Sequence, residues 1–346
     1  MDLRRICIFG AGAIGGHLAA RFAAAGHDVA AVARGANLDA LRERGIALRE
    51  GTAPDARTIG GRLRASDRAA DLGPQDAVLV TTKATALAAL AEAAPLLCHE
   101  QTFFVFVQNG VPWWYAQGID GQGRRARPIP PDLSALDPGG ALARAIAPER
   151  VVGAVVYSSN NLDAPGQITN HSARRNMLVV GEPADGDTAR VRALRAALEA
   201  AGMPSPPAAD IRASVWDKLL LNFGSTLCVP IGEPLRAVSD DPRLRALRDR
   251  LFAEGRAIAL AHGVRVEDAP RRPGAPAGGG AQVSGASAHK PSMLQDYEQG
   301  RPMEIEAILA TPCAFARAAG VEAPALEALT ALTARLAARK GLYSPR

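Results

Sequence analysis

Apolar residues in the first half of the chain fall into short runs separated by stretches of helical periodicity. Ile6–Phe9, Val29–Ala33, Ala77–Thr81, Phe103–Val107 and Val151–Tyr157 read as buried strands. Between the first two, Ile14, Leu18 and Phe22 with neighbouring alanines form one helical face, and Gly26 stands where a helix stop belongs. Strands alternating with helices predict βαβ units and a parallel sheet. Gln167–Asn170 and Met177–Gly181 read as strands closing this region as a more antiparallel edge, and Ala184–Asp187 as a polar turn. From Ala189 onward the pattern is mostly helical and β-branched residues thin out. The expected fold class is α/β in the N-terminal part, followed by an all-α C-terminal domain.

A chain of 346 residues is long for one hydrophobic core, so two domains are expected. The proline-rich joint Pro204–Pro207 sets the boundary, with 1–203 on one side and 208–346 on the other. Gly118–Gly140, rich in Gly, Pro and Arg, reads as a long insertion in the first domain, and Arg271–Ala288 as a flexible loop. The formal charge of +5 is weak over this length, and the arginines between Arg243 and Arg256 alternate with acids. No nucleic-acid partner is expected. Cys7, Cys98, Cys228 and Cys313 form no CxxC pair, which predicts neither a disulfide framework nor a metal site and fits a reducing cytoplasm. His17 and Arg21 interrupt the apolar stretch that follows Arg4-Arg5, so it does not read as an export signal. No uninterrupted apolar run reaches the roughly 18 residues of a membrane span.

Gly10-Ala11-Gly12-Ala13-Ile14-Gly15 matches GxGxxG, directly after a strand and at the start of an amphipathic helix. In that context Gly10 permits the tight turn, Gly12 lets a pyrophosphate approach the backbone, and Gly15 allows close helix–strand packing. The N–H groups opening the helix, those of Ala13 and Ile14 among them, would bind the phosphates. The first domain is thus expected to be Rossmann-type and dinucleotide-binding, the bland alternative being a glycine-rich turn without a ligand. Arg34 stands nineteen positions past Gly15, where NAD enzymes usually place an acid. A guanidinium there would pair with a 2′-phosphate, so NADP (NADPH) is preferred over NAD; a solvated surface arginine is the competing reading.

Further clusters sit at strand ends and on the first long helix of the second domain. Thr81-Thr82-Lys83 and Gln108-Asn109-Gly110 end two strands, where open α/β sheets bind ligands. Lys83 and Asn109 are thereby candidate cofactor contacts, and Asn109 is a candidate substrate contact as well. Lys218 and Asn222 are four apart on a helix and share a face; a snorkelling surface lysine is the commoner case. Ser292 with Gln295 forms a capping-box pattern, and Glu304 is read into the first turn of a helix, so each has a purely structural explanation as well.

Taken together, GxGxxG, TxK, QNG, WxKLxxN and SMLQD with an acid twelve residues after its serine resemble the ketopantoate reductase (2-dehydropantoate 2-reductase) family, from Ile6 to about Ala319. The resemblance implies a Rossmann domain joined to a helical domain, with the substrate in the cleft. It also implies NADPH-dependent reduction of a small 2-oxo acid, ketopantoate first, to a 2-hydroxy acid in pantothenate synthesis. Lys218 matches the family's catalytic lysine and Glu304 the acid that orients it or the substrate hydroxyl. Asn222 and Ser292 match substrate contacts, and Asn109 and Lys83 cofactor-side contacts. Three positions depart from the pattern. Thr226 stands where an asparagine is frequent, His289 where the Ser loop can carry one, and Trp113-Trp114-Tyr115 comes shortly after QNG. His289 is a candidate for binding the substrate carboxylate, and the aromatics either widen the pocket or pack as a cap for the insertion. A reductase of a bulkier 2-oxo acid and a non-catalytic NADP-binding sensor are the alternatives. A homodimer is left open.

Overall fold

The computed structural model describes residues 3–119, 127–172, 175–272 and 290–344. His289, nearly all of the 271–288 loop and part of the 118–140 insertion lie outside the described residues.

Two compact units divide the chain. The first comprises the described residues of Met1–Gln108, Gly139–Ile211 and Arg272–Gly274; the second those of Asn109–Pro138, Arg212–Arg271 and Ala275–Arg346. The described residues of Asn109–Pro138 therefore pack with the helical unit, where the turn Ser134–Leu136 lies against residues 306–310.

The strands of the first unit are β1 Arg5–Phe9, β2 Asp28–Val32, β3 Ile46–Glu50, β4 Thr58–Gly61, β5 Arg64–Ser66, β6 Ala77–Val80, β7 Phe103–Phe106, β8 Val151–Tyr157, β9 Asn160–Ala164, β10 Gln167–Asn170 and β11 Met177–Gly181. Its helices are α1 Ala13–Ala24, α2 Gly35–Arg44, α3 Ala88–Ala93, α4 Ala141–Ala145 and α5 Ala189–Ala200. The main sheet runs β11-β8-β7-β6-β1-β2-β5. β5, β2, β1, β6, β7 and β8 are parallel, and only β11 runs antiparallel, beside β8. This is the doubly wound order, with its reversal between β1 and β6. Helices on both faces explain why β6, β7 and β8 are uninterrupted apolar runs, every residue buried.

A second, four-stranded sheet, β4-β3-β10-β9, differs from the sequence expectation. Gln167–Asn170 does not edge the main sheet; it lies parallel to β3 and antiparallel to β9. α1 contacts strands of both sheets and is buried from Gly15 to Phe22, including His17 and Arg21. Their polar atoms are satisfied internally, as burial demands. Arg21 Nε donates to His17 Nε2 at 2.5 Å, its Nη2 pairs with Glu50 at 2.8 Å, and His17 Nδ1 meets Asn160 Oδ1 at 2.6 Å. Burial, with the Arg21 charge adding to it, pushes the His17 imidazole down to about 3.

The second unit is helical: α6 Ile211–Thr226, α7 Cys228–Ile231, α8 Leu235–Asp240, α9 Pro242–Ala261, α10 Ser292–Glu298, α11 Thr311–Ala318 and α12 Pro324–Arg339, with a π-helical turn at Glu306–Ala310. Among the described residues it carries no strand. Glu254 of α9 accepts the N–H groups of Ala325 and Leu326 at 3.0 and 2.9 Å, supplying the cap that Ala323 cannot give α12.

Candidate active site

The glycine loop leaves the carboxyl end of β1 at the reversal of strand order, where such sheets bind ligands. Gly10 has φ +103°, and a Cβ there would meet Thr82 Cγ2 at 2.5 Å. A Cβ on Gly15 would overlap the Gly10 carbonyl oxygen and meet Thr81 Oγ1 at 2.5 Å. At Gly12 a Cβ would meet nothing within 4 Å. Two of these glycines are thus required by the protein's own packing, while the third leaves space open. Gly12 is also the N-cap of α1 and has no side chain to cap with, so the helix presents its first N–H groups, Ala13 and Ile14 included.

Braces around this loop come from the two strand-end clusters and from Asn37, which carries no local signal in the sequence. Thr81 Oγ1 donates to Gly10 O at 2.7 Å. Asn37 Nδ2 donates to Ala11 O at 2.7 Å, while its Oδ1 accepts from Gly166 N at 2.8 Å. Gln108 Nε2 donates to Val80 O and Thr82 O at 2.7 and 3.2 Å. Gln108 Oε1 and Thr82 Oγ1 are buried without a partner among the described residues. A buried polar atom in that state costs about 1–3 kcal/mol until something bonds it, so both fit a polar ligand at the ends of β6 and β7. Lys83, next in line, is half-buried. Arg34 is exposed at the N-cap of α2, just beyond β2, and makes no ion pair with a described residue.

In the second unit α6 carries Lys218 and Asn222 one turn apart, both half-buried. Asn222 Nδ2 is buried without a partner among the described residues. Thr226, one turn further, returns its hydroxyl to Asn222 O at 2.7 Å and lies 3.8 Å from Met293 Sδ of α10. Its departure from the family pattern is absorbed by packing, and the contact brings the start of α10 beside α6. Ser292 does not cap that helix: Pro291 occupies the N-cap, and Ser292 is the exposed first residue. Gln295 donates to Lys290 O at 2.8 Å instead of closing a capping box. Glu304 is buried and precedes the helix that begins at Ile305 rather than sitting in its first turn.

One aromatic scaffold ties these pieces together. Trp216, two residues before Lys218, donates from Nε1 to the Tyr115 hydroxyl at 2.8 Å. Tyr115 and Trp216 both stand edge-on to Phe315 of α11, at 5.1 and 5.7 Å between centroids. Arg212 at the start of α6 donates to the carbonyls of Tyr115 and Gln117. Trp113, Trp114 and Tyr115 are all buried, so the aromatics behave as packing. Asn109, half-buried, opens this anchored segment, and Val111 N donates to Ala307 O at 2.8 Å. Asn109, α6 and the helix after Glu304 are thus held within one body. Lys83, Arg34 and the glycine loop belong to the other unit.

The doubly wound sheet and its glycine loop define a Rossmann-type dinucleotide-binding protein. Residues 6–113 match the family described as ketopantoate reductase PanE/ApbA, and residues 210–337 match its C-terminal region. A 2-dehydropantoate 2-reductase from Mesorhizobium japonicum is 40% identical over 98% of this chain and 100% of its own length. A crystal structure from Ralstonia solanacearum is 34% identical with a TM-score of 0.82, covering 99% of this chain and 100% of its own. The 2-dehydropantoate 2-reductase of Geobacter metallireducens is 26% identical with a TM-score of 0.76, over 96% and 99% of the two chains. The chain belongs to the ketopantoate reductase family, and it is an oxidoreductase. No helix among the described residues is long and apolar enough to cross a membrane.

Proposed function

We propose that this protein reduces 2-dehydropantoate to pantoate with NADPH, in pantothenate synthesis and in the cytoplasm. The observation that carries the reading is the face of α6, where Lys218 is followed one turn later by Asn222 with a buried, unpartnered amide. Such a pair suits an oxygen-rich substrate: an ammonium for the ketone oxygen and an amide N–H for a second acceptor.

Gly10, Gly12, Ala13, Ile14 and Gly15 would hold the pyrophosphate, Arg34 the 2′-phosphate, and Lys83 and Asn109 would approach the nicotinamide side. When bound, NADPH supplies the hydride that reduces the ketone carbon. Lys218 polarises the ketone oxygen and gives it a proton as the alkoxide forms, so one hydride and one proton complete the alcohol. An ammonium in that place acts most strongly where negative charge develops, in the transition state. Glu304 orients Lys218, and Asn222 and Ser292 hold the carboxylate and hydroxyl oxygens of the acid. Thr226 and the buried Trp113–Tyr115 segment serve packing, which supports ketopantoate over a bulkier acid. Oxidation of NADPH with a panel of 2-oxo acids tests the proposal. Fastest turnover with ketopantoate is expected; a preference for a bulkier acid would replace the substrate, and tight NADPH binding with no turnover would leave a sensor.

A further inference from the structure

A proline lies deep inside the helix after Glu304. The helix runs from Ile305 to Ala318, π-helical over Glu306–Ala310 and α-helical from Thr311, with Pro312 well within it. A proline there has no N–H to give, and its ring crowds the carbonyl four residues back, that of Ile308. The wider π turn accommodates it. Thr311 N–H bonds Glu306 O, five residues back, instead of Ala307 O. The next amide that this register would bring to Ala307 O is that of Pro312, which has no hydrogen. Ala307 O is left without a donor from its own helix, and a buried carbonyl in that state must find one elsewhere.

Val111 N–H is the donor it finds, at 2.8 Å. The approach is possible only because the preceding residue is glycine. Gly110 has φ +83°, and a Cβ on it would meet the Ala307 carbonyl carbon and oxygen, each at 2.6 Å. Asn109 stands immediately before Gly110, and Glu304 three residues before Ala307.

We infer that Pro312 is a positioning residue: by holding Glu306–Ala310 in the π register it reserves Ala307 O for Val111 N–H, and this fixes Asn109 relative to Glu304. The inference rests on the proposed roles of Asn109 and Glu304, although the docking itself does not. In Pro312→Ala the new amide can bond Ile308 O, and Thr311 N–H can return to Ala307 O, so the helix competes for the acceptor that Val111 uses.

The test is amide hydrogen exchange at Val111 together with steady-state kinetics of the full chain. Pro312→Ala is expected to speed exchange at Val111 at least tenfold. KM for NADPH should rise at least fivefold with kcat within about threefold, since Asn109 is placed against the nicotinamide side and holds ground state and transition state alike. Gly110→Ala should do the same, and the double variant should be no worse than the more severe single, because both act on one contact. Pro242→Ala, at the first position of α9 where a missing N–H costs nothing, should change neither measurement. Unchanged exchange at Val111 in Pro312→Ala overturns the docking claim. Faster exchange with unchanged KM overturns the link to the site, as does a KM rise in Pro242→Ala. If the unaltered chain turns over no 2-oxo acid, the functional reading fails by itself; exchange at Val111 still decides the docking.

Discussion

Gly12 and Gly15 lie three residues apart in one loop, yet alanine at each should damage a different property. At Gly15 the added methyl overlaps the Gly10 carbonyl oxygen and presses on Thr81 Oγ1 and on Ile8 Cγ2, at 2.5 and 2.9 Å. A backbone carbonyl cannot swing aside as a side chain can, so α1 must move off β1. Overpacking of this kind costs about 1–3 kcal/mol, and at about 2–4 °C per kcal/mol for a domain of this size Tm should fall by about 2–12 °C. At Gly12 the backbone is extended, with φ −77°, and the methyl meets nothing within 4 Å. The poorer N-cap and the stiffer unfolded chain oppose each other at a few tenths of a kcal/mol each, so stability should stay within about 1 kcal/mol of the original. The methyl does occupy the space through which a pyrophosphate would reach the backbone. A steric loss of about 1.4–3 kcal/mol there weakens NADPH binding by about ten- to a hundredfold. Thermal melting by circular dichroism and NADPH fluorescence titration read the two properties separately. Wild-type NADPH affinity in Gly12→Ala would show that the pyrophosphate does not cross that residue, and wild-type Tm in Gly15→Ala would refute the packing argument.

Lys218→Ala should lower kcat by orders of magnitude and leave NADPH affinity nearly intact; unchanged turnover would remove Lys218 from the chemistry. Arg34→Asp should shift preference from NADPH toward NADH in paired kcat/KM measurements, and a retained NADPH preference would sink the 2′-phosphate assignment. His17 gives a pH prediction of defined sign. Its imidazole titrates near 3 when folded and at its ordinary value of 6.5 when unfolded, so between these only the unfolded chain takes up the proton. Stability from this group is therefore intact above about 6.5 and is lost toward pH 3, at about 1.4 kcal/mol per pH unit. His17→Gln should melt with a shallower pH dependence over that window, whatever its stability at neutral pH; identical slopes in urea unfolding from pH 4 to 7 would contradict the assignment.

Much of the first unit was legible because its signals are local. A strand, a glycine turn and an amphipathic helix occupy one continuous stretch, and the runs at β1, β2, β6, β7 and β8 are apolar because both faces of the sheet are covered. The second sheet was not legible. β3 and β4 are half-polar, and β10 joins β3 only through pairing across more than a hundred residues. His17 and Arg21 looked merely polar within an apolar run, and only the presence of sheets on both sides of α1 explains their burial.

The sequence by itself determined the chemistry on offer. GxGxxG after a strand, Arg34 after the next, Lys218 and Asn222 on one helical face, and an acid at residue 304 depend on residue type and short spacing, which survive without coordinates. The tertiary structure decided what each of them touches. It removed Ser292 from the capping position, turned Thr226 toward Asn222 O and Met293, and buried Trp113, Trp114 and Tyr115 as scaffold. It also joined Val111 to Ala307 across almost two hundred residues. Such contacts arise from the competition of every buried donor and acceptor for a partner, and that competition is settled only when the whole chain has packed.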